Sequence, residues 1–410
     1  MKRLVRILTV CVLLSAGSDA LAQEPPANVQ GTPMPDAVEP PPAPARRPLM
    51  RALDNAGIGE TLDDTGINIF GHVEGSYTYN FNDPAGDINV GRVFDFEHDE
   101  LTLNQIDLTI EKTVDVTHKK VEFGGRVEWL YGGDSGLIHS NGLFDEYDGV
   151  RDPENQFDLN QAYVDVAIPV GNGLRIRAGK FVTLLGYEVI NPTGNALYSH
   201  SYLFGFAIPF THTGVLATYS LNDKITLNGG VTRGWEQSLE DNNDAIDFLG
   251  GVNWVINDKF TLYFSDSFGP QQADNESNLR NVFDFCLYYT VNDDLKLGLN
   301  GVYGFEQDVP GVGDADWYGL AGYAHLTVNE RATLNARLEW FDDADGTRGI
   351  GGAVYEAALG VALKPFPNDD LGSNLLIRPE VRVDYSEDGI FDGGTDHSQV
   401  TAAIDAIFTF

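Results

Sequence analysis

An asparagine followed by an acidic residue recurs at Asn222-Asp223, Asn257-Asp258, Asn292-Asp293 and Asn329-Glu330, each time between two runs in which every second residue is apolar or small. Such pairs favour tight hairpin turns, because asparagine tolerates the backbone of a turn and bonds its own chain two residues on. Their spacing of roughly 35 residues defines a repeat of two strands, one tight turn and one longer polar loop. That repeat predicts an all-β fold, a transmembrane up-and-down antiparallel β-barrel of about 16 strands.

The start of the chain has the layout of a secretory signal peptide, with Lys2, Arg3 and Arg6, an apolar stretch from Ile7 to Ala16, and Ala20-Leu21-Ala22 as the cleavage site. The expected mature chain begins at Gln23. The apolar stretch is too short for an uncleaved membrane anchor. Cys11 leaves with residues 1–22, and Cys286 then stands alone, so no intrachain disulfide is expected.

No later segment has the ~18 consecutive apolar residues of a transmembrane helix. A hydrophobic fraction of 42% and 45 glycines suit strands that alternate an apolar with a polar face. Residues 1–22 contain three basic residues and Asp19, so without them the formal charge of −35 becomes −37. A charge of this sign and size argues against nucleic acid as a partner and fits long solvated loops exposed to cations.

Three segments result. Residues 1–22 are the signal peptide, and residues 23–66 are a periplasmic tether and lead-in, with nine prolines between Pro25 and Pro48. Within the lead-in, residues 51–66 read either as a short helix or as a plug. Residues 67–410 form the barrel, with strands beginning near Ile67, Leu101, Lys120, Phe157, Leu174, His212, Lys224, Ala245, Lys259, Arg280, Leu295, Asp316, Arg331, Gly352, Asn374 and Ser398.

Short connections alternate with long ones at 81–99, 132–156, 186–211, 236–244, 269–279, 306–315, 342–351 and 387–397. Short turns on one rim and long loops on the other place the turns in the periplasm and the loops outside. Fourteen or eighteen strands remain compatible with the pattern.

Alternation assigns the faces. Val121, Phe123, Val127 and Trp129 fall on one side of the third strand and Glu122, Arg126 and Glu128 on the other. Leu295, Leu297, Leu299 and Tyr303 likewise oppose Lys296 and Asn300, and Val381, Val383 and Tyr385 oppose Arg378, Glu380, Arg382 and Asp384. A soluble sandwich would need a second sheet to cover its apolar face. The last strand alternates Val400, Ala402, Ile404, Ala406, Phe408 and Phe410 up to a terminal phenylalanine. This ending resembles the C-terminal strand of bacterial outer-membrane proteins, which the barrel assembly machinery recognises.

Asn160-Gln161-Ala162-Tyr163-Val164, then Gly179-Lys180-Phe181 with Gly186 and Glu188, and His212-Thr213-Gly214-Val215 carry a resemblance to the OmpL-like family of outer-membrane β-barrel porins over residues 67–410. The resemblance implies a passive, water-filled diffusion channel for small hydrophilic solutes in the bacterial outer membrane. Outer-membrane lipid and a homotrimer are the partners to expect. It brings no cofactor and no catalytic residues.

Selectivity in such a channel would come from lumen charge and from the narrowest point. Arg126, Glu128, Arg175, Arg177, Lys180, Glu188, Arg337, Glu339, Arg378, Glu380, Arg382 and Asp384 are the expected pore-lining residues. Charges facing inward require water or partners, so this set implies a wet lumen or a paired network. Residues 186–211 are the candidate constriction loop, since Tyr198, Tyr202, Phe204 and Phe206 are too apolar for free solvent. A surface loop with an aromatic rim, or an additional short hairpin, is the other reading.

The acidic runs Asp95, Glu97, Asp99 and Glu100, then Asp342, Asp343 and Asp345, then Glu387, Asp388, Asp392 and Asp396 read as solvated loops. Asp343-Ala344-Asp345-Gly346 lacks the remaining ligand spacing of a calcium loop, and no metal is expected. Hydrolytic motifs such as G-x-S-x-G and H-E-x-x-H are missing, so an enzyme is not expected. A surface-displayed structural or adhesion barrel with little conductance remains as the alternative to a porin with modest cation preference.

Overall fold

A computed structural model describes residues 46–146 and 154–410, so the expected signal peptide and most of the expected tether lie outside the described residues. Two short helices, α1 (Pro48–Asn55) and α2 (Gly59–Thr65), precede the strands. The strands are β1 (Asn68–Asn80), β2 (Leu101–Lys112), β3 (Glu122–Gly132), β4 (Gln156–Ile168), β5 (Leu174–Val182), β6 (Thr211–Asn222), β7 (Ile225–Thr232), β8 (Asp247–Asn257), β9 (Phe260–Pro270), β10 (Leu279–Thr290), β11 (Leu295–Val309), β12 (Gly313–Asn329), β13 (Ala332–Asp343), β14 (Gly352–Leu363), β15 (Leu375–Ser386) and β16 (Ser398–Thr409). Each pairs antiparallel with its chain neighbours, and β1 pairs with β16 from His72↔Thr409 to Asn80↔Thr401, closing a 16-stranded barrel. Closure satisfies the strand hydrogen bonds inside the protein, the condition for a sheet in lipid.

The asparagine turns follow from one local interaction. The side-chain oxygen of Asn222 accepts from the amides of Lys224 and Ile225 at 2.9 and 3.0 Å. Asn257 accepts from Lys259 and Phe260, Asn292 from Asp294 and Leu295, and Asn329 from Arg331. Each side chain thus replaces the hydrogen bonds that the reversing backbone gives up.

One connection differs from expectation. Residues 306–315 form no long loop, because β11 and β12 continue to Val309 and resume at Gly313. Gly311 and Gly313, at φ 82° and 100°, supply the left-handed backbone of this tight turn. The lead-in takes its helical form, as α1 and α2. Arg51 donates to the carbonyl of Asp370 in the turn between β14 and β15, and Arg47 lies 3.9 Å over the Phe70 ring, so α1 rests on the turn-side rim.

Phe123, Val164, Val215, Phe248, Phe264, Phe285, Leu338, Leu359 and Val381 are exposed on the outer face, forming the apolar band that meets lipid. Among the described residues no helix is long and apolar enough to cross a membrane. The protein should therefore be β-rich by circular dichroism and migrate differently on gels before and after boiling. A chain ending at Asp396, which lacks β16, should lose the folded band; a predominantly helical spectrum would contradict the barrel.

Candidate functional site

Residues 183–210, the third long connection, lie inside the barrel. A loop in that position must hydrogen-bond its backbone to the wall. Arg378 donates from one nitrogen to the carbonyls of Pro192, Asn195 and Leu197 at 3.0, 2.7 and 3.0 Å. Its remaining donors go to Asp405 and Glu74. Arg337 donates to the Ser199 carbonyl at 2.7 Å and to Glu188 at 2.6 Å, with Glu356 behind it. Arg382 donates to the His200 carbonyl at 2.6 Å and is held by Asp384.

The wall carboxylates take the loop amides. Glu380 accepts from the amides of Tyr198 and Ser199 and from the Ser199 hydroxyl, and Glu339 accepts from the amides of Tyr202 and Leu203 at 2.8 and 2.7 Å. Glu339 thereby caps the single π-helical turn Leu203–Ala207, whose far end gives the Ala207 carbonyl to the Trp317 indole at 3.0 Å. Tyr202 donates to Asp384 at 3.0 Å, and the Tyr198 hydroxyl shares a 2.7 Å hydrogen bond with Ser76.

Apolar packing completes the seat. Leu216, Leu249, Val282, Val302, Trp317, Tyr323, Phe341 and Val354 point inward from the wall and enclose Leu185, Tyr202, Leu203, Ala207 and Ile208 of the loop. Wall glycines make room for loop side chains: a Cβ at Gly298 would lie 2.4 Å from Tyr187, one at Gly319 2.6 Å from Leu203, and one at Gly360 2.8 Å from Leu197. Tyr187 slots between Tyr288 and Tyr323, with ring centroids 4.8 and 4.0 Å away.

The first long connection enters as well. Arg92 bonds Asp384 at 2.7 Å and pairs with Asp95, while Phe94 sits against His200, Phe204 and Phe210. Phe94 adopts φ 74°, a left-handed conformation that a bulky side chain rarely takes and that its buried contacts must hold. Phe206, the fourth expected constriction residue, packs half-buried on the same clusters.

The twelve expected lining residues therefore separate into two groups. Glu188, Arg337, Glu339, Arg378, Glu380, Arg382 and Asp384 are buried and spend their hydrogen bonds on the inserted loops. The other five line β3 to β5. Arg126 pairs with Glu128 at 2.6 Å and Glu111 at 3.7 Å, and Glu128 also accepts from Asn160 and Gln161. Arg177 grips Asp165 through two 2.9 Å bonds with its guanidinium 3.6 Å over Tyr163. Lys180 donates to the Leu159 carbonyl at 2.8 Å and to Asp158 at 3.4 Å. Among the described residues Arg175 reaches only the Thr218 hydroxyl, at 3.3 Å.

Sequence reasoning missed Arg92, Glu74, Glu356 and Asp405. Arg92 is the single lysine or arginine in the acidic stretch 81–100, which also holds Phe94 and Phe96, and that contrast was the available signal. Two acidic runs are not wholly solvated. Asp95 and Glu97 are buried, and buried Asp343 accepts from the amides of Arg348, Ile350 and Gly351. Among the described residues no group of histidine, cysteine and carboxylate side chains could hold a metal ion.

A closed barrel with a long connection seated in its lumen is the architecture of an outer-membrane porin. The chain belongs to the family described as "Putative beta-barrel porin-2, OmpL-like", whose model spans residues 66–410. It resides in the bacterial outer membrane. Similar solved structures include an anion-selective porin from Comamonas acidovorans, 14% identical with a TM-score of 0.59 over 84% of this chain and 99% of that one. Others are OprB of Pseudomonas putida at high pH, 11% identical with a TM-score of 0.56 over 87% and 97%, and in-vitro folded OmpT of Vibrio cholerae in a trimer form, 12% identical with a TM-score of 0.54 over 84% and 99%. No curated protein sequence matches the chain.

Replacing Arg378 with methionine should free the loop, since it strands Asp405 and Glu74 without their cation, at a cost of roughly 3–5 kcal/mol. Limited proteolysis should then cut within residues 186–208 while the heat-modifiable band persists. Burial lowers the His200 pKa to about 4. The neutral ring is thus the form the seated loop holds, and that contribution, full above the ordinary value of 6.5, is lost as pH falls toward about 4. Acidification over that interval should raise protease sensitivity in the native protein and less so in His200→Gln.

Proposed function

We propose that this protein is a narrow passive diffusion channel for small hydrophilic solutes and ions, with residues 183–210 as its constriction. The observation that carries the reading is the seating of that loop across the lumen, with its backbone held by Arg337, Glu339, Arg378, Glu380 and Arg382. On the turn side of the loop the inner wall stays partly open, where Arg175, Thr218, Ser220, Thr226 and Asn228 keep some exposure. This vestibule, together with Arg126, supplies the polar lining.

The ends of the loop can be bridged. A Cβ on Gly186 would lie 2.5 Å from Ile208, so the two ends are adjacent and a short glycine-serine bridge can replace residues 187–207. In planar bilayers the native protein should give small ohmic steps, and the excised form steps several-fold larger. Equal conductance in the two would remove the loop from the pore.

Modest cation preference is the expected selectivity. Exposed acids around the outer loops, among them Asp83, Asp87, Asp99, Glu100, Asp274, Glu276 and Asp388, concentrate cations at that mouth, while most lumen charges are paired. The preference should weaken with salt as the Debye length falls from ~10 Å to ~3 Å. Reversal potentials across a salt gradient measure it, and clear anion selectivity would refute the argument.

Assembly as a homotrimer in outer-membrane lipid, following insertion by the barrel assembly machinery, belongs to the same proposal; the trimer form of Vibrio cholerae OmpT supports it. The second reading is a surface-displayed barrel with little conductance. The apolar cluster joining loop to wall favours it, and single-channel recording separates the two.

A further inference from the structure

We infer that the turn-side vestibule holds an anion subsite centred on Arg175, fitted to a small oxyanion such as phosphate. The inference deepens the channel reading, on which it rests for access to solvent. Inward-facing partners in register place Ala167, Arg175, Thr218 and Asn228 in one row across β4 to β7. The Thr218 hydroxyl that accepts from Arg175 at 3.3 Å donates onward to Asn228 at 2.8 Å, so the row is a continuous polar ledge.

Arg175 is the guanidinium left over in this wall. Its neighbour Arg177 takes both oxygens of Asp165, and Arg126 takes Glu128 and Glu111. Among the described residues no carboxylate oxygen lies within salt-bridge distance of Arg175, and its Nε is buried without a hydrogen-bond partner. The Nε of Arg126, in the same wall, is likewise buried and unpartnered. A partly buried cation with a buried, unpartnered donor carries a desolvation cost that an anion relieves, and a planar guanidinium matches the oxygens of phosphate or carboxylate.

The surroundings suit a small ligand. Gly230 and Gly251 present no side chain to the lumen beside the ledge. Lys296 faces inward from β11 and also has no described carboxylate partner. The acids that could compete, Asp165 and Glu111, are engaged by Arg177 and Arg126. A chain of net charge −35 thus keeps a local site for anions.

The test uses the full-length protein and inorganic phosphate. Added on the periplasmic side, phosphate should reduce chloride current saturably, and Arg175→Gln should raise the half-blocking concentration about tenfold or more. Arg175→Lys should restore part of the effect, and Lys224→Gln, on an exposed turn, should leave it unchanged. Calorimetric titration of phosphate into detergent-solubilised protein reads the same site without requiring conductance, so a silent barrel would count against the channel while the subsite is judged separately. No phosphate binding in the native protein, or equal binding in a heat-modifiable Arg175→Gln variant, would overturn the subsite.

Discussion

A loop inside a barrel brings its peptide groups away from bulk water, and each must find a partner on the wall. That requirement organises the lumen. Carbonyls of residues 192–200 point at arginines, and amides of residues 198–203 point at glutamates. The arginines and glutamates in turn need partners once the loop has excluded water, which is why Asp405, Glu74 and Glu356 stand behind them. The charges on β13 to β15 form a scaffold before they form a lining.

This changes what lumen charge means in the chain. Seven of the twelve expected ionic side chains are buried against or within the inserted loops, so a solute meets few of them directly. Truncating one of these seven releases a buried opposite charge and moves a loop, whereas truncating Arg175 leaves every described ion pair intact. Mutations in the two groups should therefore alter conduction for different physical reasons, loop position in one and local potential in the other.

The barrel itself was legible from the sequence because its signals are local. Asn222 and its counterparts reverse the chain through bonds to residues two or three positions away, and a period of two places Val381 outside and Arg382 inside whatever the partner strand. Strand starts consequently fell close to expectation, with β12 the furthest, at Gly313 against Asp316. The apolar content of residues 198–210 marked the third connection as unsuited to open solvent for the same local reason. The pairing of Arg378 with the carbonyl of Leu197 spans 181 residues and depends on a closed register that no local pattern encodes. Insertion of the first connection was hidden too, because Asp95 and Glu97 read as solvated until Arg92 and the wall are placed beside them.

The two inserted connections also constrain each other. Asp384 binds Arg92 of the first, Tyr202 of the third and Arg382 of the wall, so one carboxylate ties all three together. Phe94, in its left-handed conformation, fills the space between His200 and Phe204 on the other side of the contact. Neither connection can leave without uncovering a charge or an aromatic cluster belonging to the other. Displacing either connection therefore disturbs both, whereas Arg175 on the wall below them is paired in register with Thr218 and contacts neither.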